Sequence, residues 1–139
     1  MGTVLCGSRE FIDAAKRWRK VVGGGWRQAG ILAAAGVYAL KNNIDRLVED
    51  HDKASQLAEG LTSIDEIEVD VSAVQTNMVF INLPKAATTT LSPFLRDNGI
   101  LISGEYNPVR LVTHLDVTNE GIRHVISTFE TYFTQHPLN

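Results

Sequence analysis

The chain has 139 residues, 44% of them hydrophobic, which suits one globular fold with a real core. Its formal net charge of −3 argues against nucleic-acid binding by bulk electrostatics, and its single cysteine, Cys6, excludes an internal disulfide or a cysteine-based zinc site and suits a reducing cytoplasm. No apolar run is long enough to span a bilayer, and the first residues fit neither a signal peptide nor the myristoylation pattern.

Thr3–Gly7 reads as a short strand that begins at once, as if the chain were cut from something longer. Ser8 is placed to cap a helix over Arg9–Lys20, with Glu10 in the first turn where the helix dipole favours an acid. The run Gly23-Gly24-Gly25 ends that helix, because each glycine loses maximal backbone freedom on ordering. Arg17, Arg19, Lys20 and Arg27 flank the run, with Gln28 beside the last. Amide-rich backbone, a helix start and fixed cations suit an anionic group such as phosphate or carboxylate. A flexible hinge with solvated charges explains the same residues equally well.

A second helical pattern begins near Arg27 and runs to about Leu61. Its first part, Ala29–Leu40, is apolar nearly all round, which predicts burial on several sides. Its later part carries a stripe of Leu40, Ile44, Leu47, Ala54, Ala58 and Leu61, with His51 in it. Asp45, Glu49, Asp50 and Asp52 cover the other faces. From Ile67 the period changes to two: Ile67, Val69 and Val71 alternate with Glu68, Asp70 and Ser72, as in a half-exposed strand. Met78–Leu83 is a more apolar strand ended by Pro84. Thr88–Asn98 is a short helix with Pro93 near its first turn and Gly99 as its stop. Gly99–Ile102 and Val109–His114 read as two further strands. Thr118 caps a final helix to about Thr134, with Ile122, Val125, Ile126, Phe129 and Phe133 inward. The fold class is therefore α+β: two N-terminal helices, the second long, then a small, mainly antiparallel sheet with helices.

Several segments of the chain, in order and over essentially its whole length, match one family. They are Val4-Leu5-Cys6-Gly7-Ser8, Arg17-Trp18-Arg19-Lys20, the block from Gly23 to Gly36, Glu49-Asp50-His51, Gln75-Thr76-Asn77-Met78 and the block from Val109 to Val117. They resemble the C-terminal part of low-specificity L-threonine aldolases, pyridoxal-phosphate (PLP) enzymes of the aspartate-aminotransferase fold type. Trp26 departs from the pattern, where the family more often has Met, and so does the Thr88–Pro93 stretch. The resemblance implies that 1–36 are the end of a large cofactor domain and 37–139 a small α+β domain. It implies retro-aldol cleavage of L-threonine or L-allo-threonine to glycine and acetaldehyde in an intact homo-oligomer, completed by an N-terminal domain. The family's Schiff-base lysine, expected just before the strand at Gly2, is not matched by any residue of this chain. On that reading these 139 residues alone are inactive and retain no PLP.

Arg110 is the residue to which the resemblance gives a substrate-carboxylate role. Independently, its strand places it on one face with Val112 and His114, and an arginine fork grips a carboxylate at two points. A surface arginine at a sheet edge is the plain alternative. The resemblance takes Lys20 and Arg27 to a PLP pocket across a subunit boundary; solvated charge on a helix end is the alternative, and the preferred reading for Arg17 and Arg19. Gly23, Gly24 and Gly25 are read as a close backbone approach and a sharp turn. His114 and Asp116 have no third ligand nearby, so a structural histidine is preferred to a metal pair. His51 is read as packed, His124 and His136 as exposed, Cys6 as buried and inert, and Asn77 as satisfying backbone. Rival readings are a non-enzymatic assembly module and another enzyme of the same fold type, an aminotransferase or β-eliminating lyase.

Overall fold

The computed structural model describes residues 4–102 and 107–137. The chain divides into two compact units, Met1–Arg46 and Leu47–Asn139. No helix among the described residues is long and apolar enough to cross a membrane.

In the first unit, helix α1 spans Arg9–Val21. The Ser8 hydroxyl accepts the Phe11 N–H at 3.2 Å, and Glu10 lies in the first turn, so the start follows the expected cap. The helix ends on a Schellman motif. Gly23 has φ +88°, its N–H reaches the Lys20 carbonyl at 3.2 Å, and the Gly24 N–H reaches the Arg19 carbonyl at 2.7 Å. A Cβ on Gly24 would lie 2.9 Å from that same Arg19 oxygen, so no side chain fits there. Helix α2 spans Gly30–Asn42 and buries no residue. The burial expected for Ala29–Leu40 is thus not met: Ile31 is 81% exposed and Tyr38 64%. A helix apolar all round needs partners on several sides, and the described residues do not supply them. Residues 4–8 form no regular element, and the strand expected over Thr3–Gly7 is absent from its described part; Thr3 lies outside the described residues. Cys6 is accordingly exposed rather than buried, because no neighbouring strand covers it.

The long helix expected from Arg27 to Leu61 is two helices, α2 and then α3 over Leu47–Leu61. The Asn42 side-chain amide donates to the Tyr38 carbonyl at 2.8 Å and the Asn43 N–H to the Ala39 carbonyl at 2.8 Å. Asparagine bonds of this local kind favour termination over continuation.

In the second unit α3 buries Ala54, Leu57, Ala58 and Leu61, and packs against the sheet and the last helix. It also buries Asp50 and Lys53, which sequence patterning alone does not anticipate; their charged ends lie 3.6 Å apart. The sheet has three strands, β1 (Glu68–Val69), β2 (Met78–Asn82) and β3 (Val109–Val112), antiparallel in the order β1-β2-β3. The first is shorter than its alternation suggests. The Asp70 carboxylate accepts the Ser72 hydroxyl at 2.6 Å and the Ser72 N–H at 3.0 Å, turning the chain into a 3-10 turn over Val71–Ala73. The Ser72 hydroxyl holds the Asp70 carboxyl below its ordinary value of 3.8.

Gly99–Ile102 forms no strand, and a helix stop commits its first two amides. Helix α4 spans Leu91–Asp97, with Pro93 in its first turn. Gly99 has φ +78°, its N–H reaches the Arg96 carbonyl at 3.0 Å, and the Ile100 N–H reaches the Leu95 carbonyl at 2.8 Å. The Ile100 amide therefore closes a helix and is unavailable to a ladder. The Ile100 side chain is buried, as the hydrophobic contact of this motif requires. Helix α5 spans Asn119–Gln135, with the Thr118 hydroxyl accepting the Gly121 N–H at 3.0 Å. It buries Ile122, Phe129, Tyr132 and Phe133; Val125 and Ile126 are half-buried. The Tyr132 hydroxyl meets Thr90 Oγ1 at 2.6 Å and its ring meets Phe94 edge-on at 5.3 Å, fastening α4 to α5.

Beyond β3, Thr113 ties the sheet to α3. Its buried hydroxyl donates to the Asp50 carbonyl at 2.7 Å, and its N–H donates to the Asn77 carbonyl at 3.0 Å. Thr113→Val keeps the shape and removes the hydroxyl bond, so unfolding free energy should fall by about 1 kcal/mol. Thr113→Ser should lose less, because it keeps the donor. Thermal unfolding of the three proteins checks this; an unchanged melting temperature in the Val variant would contradict the tie.

Candidate substrate-binding strand

The strand β3 separates two environments with a period of two. Val109, Leu111 and Thr113 are buried in the core, whereas Arg110, Val112 and His114 are exposed on the other face. The register with β2 sets Phe80 opposite Arg110 and Met78 opposite Val112. Phe80, Met78 and Val112 are themselves exposed, so Arg110 rises from an apolar sheet face.

The Arg110 guanidinium makes no hydrogen bond or ion pair with any described residue. It also borders a half-open depression lined by Leu101, Ile102, Val112, His114 and Val125, which includes neither Phe80 nor Met78. A free planar fork over an apolar wall can hold a carboxylate at two points and leave an attached carbon chain against hydrocarbon.

His114 is exposed and sits beside Asp116: the Asp116 N–H approaches Nδ1 at 3.3 Å, and the carboxylate lies 3.7 Å from the same nitrogen. This local turn explains the pair. Among the described residues no three His, Cys, Asp or Glu side chains come together as a metal site. His51 is half-buried on α3, and His124 and His136 are exposed, with His124 Nε2 3.0 Å from the Asn98 carbonyl. Asn77 serves backbone as expected, its amide donating to the Thr113 carbonyl at 2.7 Å.

Lys20 and Arg27 belong to the first unit. Lys20 is exposed in the last turn of α1, and Arg27 is exposed between α1 and α2. A Cβ on Gly25 would come within 3.0 Å of Lys20 Cδ and 3.3 Å of its Nζ, so Gly25 leaves room for that side chain. Neither cation pairs with another described residue. The structure leaves both side chains exposed on separate segments of the first unit. The glycine amides add less than the sequence suggests, because Gly23 and Gly24 spend theirs on the helix stop.

Asn107 is a residue that sequence reasoning misses. Its side-chain oxygen accepts the Leu83 N–H at 3.0 Å and its side-chain nitrogen donates to the Leu83 carbonyl at 3.1 Å. An asparagine before proline at the mouth of a strand, Asn107-Pro108, is the signal available for it.

With this geometry in place, comparison with known proteins is informative. Residues 1–84 match the model of the beta-eliminating lyase family, and the chain belongs to that family. It is 44% identical over 136 residues to the low specificity L-threonine aldolase of Escherichia coli (strain K12), covering 97% of this chain and 39% of that protein. It is 42% identical over 134 residues to low-specificity L-threonine aldolase 1 of Arabidopsis thaliana, covering 94% and 37%. With the low specificity L-threonine aldolase of Saccharomyces cerevisiae the identity is 32% over 146 residues, covering 100% and 36%. The chain thus spans about two-fifths of the length of the curated relatives it matches.

An exposed arginine without partners contributes little to folding. Arg110→Ala in the 139-residue chain should change stability by no more than about 0.5 kcal/mol. Chemical denaturation would expose a hidden structural role as a larger loss.

Proposed function

We propose that this chain is the C-terminal part of an L-threonine aldolase, in which Arg110 holds the substrate carboxylate. The supporting observation is the uncommitted Arg110 guanidinium on an open apolar sheet face, in a chain similar to enzymes carrying that name. The intact protein would cleave L-threonine or L-allo-threonine to glycine and acetaldehyde. When bound, PLP supplies an electron sink for the pair left on Cα as the Cα–Cβ bond breaks. Arg110 fixes the carboxylate, and with it the orientation of the bond to be broken. Lys20 and Arg27 supply positive charge to the cofactor pocket. On this reading residues 1–36 end a large cofactor domain and 37–139 form the small domain. The intact enzyme is a cytoplasmic homo-oligomer, and the apolar surface of α2 is a surface for its assembly. Elimination, the chemistry in the family's broader label, is the rival, and assay of acetaldehyde against a keto-acid product separates the two.

The 139 residues alone should keep no PLP absorbance after dialysis, since none of their lysines matches the one that carries the cofactor. A borohydride-stable adduct mapped to Lys20 would overturn this.

In the intact enzyme Arg110→Lys should lower kcat/KM for threonine by on the order of 10²-fold, because lysine keeps the charge but not the planar two-point grip. PLP occupancy and melting temperature should stay near wild type. Unchanged kinetics in this variant would remove the assignment of Arg110.

A further inference from the structure

The strand pair that carries Arg110 is closed at both ends by asparagine side chains. Pairing in β2–β3 runs Met78↔Val112, Val79↔Leu111, Phe80↔Arg110 and Ile81↔Val109. The Thr113 N–H bonds the Asn77 carbonyl, so Asn77 and Thr113 form a hydrogen-bonded rung. Rungs in an antiparallel ladder alternate with open pairs, so Val79↔Leu111 and Ile81↔Val109 are rungs and Phe80↔Arg110 is open. Counted on in the same register, Leu83 falls opposite Asn107, which lies two residues before β3 begins.

At that place the side chain of Asn107 does what a backbone amide does elsewhere. It accepts the Leu83 N–H and donates to the Leu83 carbonyl, at 3.0 and 3.1 Å. Pro108, next in the chain, has no N–H of its own to offer. β3 is an edge strand of four residues, paired on one side only. Without the Asn107 bonds, the last rung before Arg110 is Ile81↔Val109, a single residue away. The outermost rung of a ladder frays first, and fraying at Val109 moves the backbone next to Arg110.

The geometry points to Asn107 as a positioning residue for Arg110: its amide completes the ladder and so fixes the direction of the guanidinium. The inference rests on the carboxylate-binding reading of Arg110 given above. Asn107 itself touches no substrate, so its effect must pass through Arg110 and must depend on the ligand's carboxylate.

The test uses the intact, PLP-loaded enzyme. Glycine is titrated by the change in cofactor absorbance, with methylamine, which lacks the carboxylate, as the control ligand. Asn107→Ala should raise the glycine Kd roughly tenfold and leave methylamine within about twofold. Asn107→Asp keeps the acceptor for Leu83 N–H and loses the donor, and should fall between. In an Arg110→Ala background, Asn107→Ala should add nothing to the loss of glycine binding, as a double-mutant cycle requires of residues acting through one contact. If melting shows that the alanine variant is unfolded, the same cycle is run with Asn107→Asp. The inference is overturned if glycine binding is unchanged, if methylamine weakens as much as glycine, or if the loss persists without Arg110. If Arg110→Ala alone leaves glycine binding at the wild-type level, the carboxylate reading itself fails, and the positioning role with it.

Discussion

The pairing of β2 with β3 is the constraint on which the candidate site depends. Val79, Ile81, Val109 and Leu111 face the core from adjacent strands, together with Phe129, Leu61 and Leu95. Fully burying side chains of this size is worth about 1.5–3 kcal/mol each, an upper figure because denatured chains already hide some surface. A one-residue slip would carry Val109 and Leu111 out to solvent and Arg110 into the core. Burying an unpaired guanidinium is far costlier than any other error available to this strand. The register is therefore fixed by the core, and with it the face of the sheet from which Arg110 projects. Arg110 thus helps to fix the register that leaves it exposed.

The same helix-stop device shapes two other parts of the molecule. At Gly23 and at Gly99 a left-handed residue lets the next amides return to carbonyls of the last helical turn. Both glycines are required by positive φ, where a Cβ is disfavoured. At Gly99 the stop commits the Ile100 amide to the helix, and among the described residues β3 is the edge of the sheet. An edge strand is exposed to fraying and to unwanted pairing. Asparagine side chains answer this at both ends of the strand, Asn77 holding the Thr113 carbonyl and Asn107 holding Leu83.

What the sequence discloses and what it hides divide along physical lines. Periodicity and capping are local and were readable: Ser8 and Thr118 accept the amides they were expected to accept, and the alternation over Val109–His114 puts Arg110 outward. Competition for a backbone amide is not readable from apolar content. Gly99–Ile102 has the composition of a strand, yet the Ile100 N–H is committed to α4. The apolar stripe through Leu40, Ile44 and Leu47 continues without interruption, yet Asn42 and Asn43 end the helix within it, and those three side chains are exposed. Asp50 and Lys53 look like polar-face residues by type. They are buried as a pair at i,i+3, their charged ends 3.6 Å apart, beside Ala54 and Leu57. Cys6 shows the converse: strand-like neighbours do not bury a residue when no strand lies beside it.

The exposed apolar residues of the sheet face carry the last step. Phe80, Met78 and Val112 surround Arg110 in solvent, which a fold optimised for its own stability would replace with polar groups. Polar replacements would hydrate the face and offer competing partners to the guanidinium. Among the described residues Arg110 has none, which leaves its donors open to an incoming anion, and each such bond is strengthened as water is displaced from around it. An apolar face around an exposed cation suits a partner that offers hydrocarbon and an anion together.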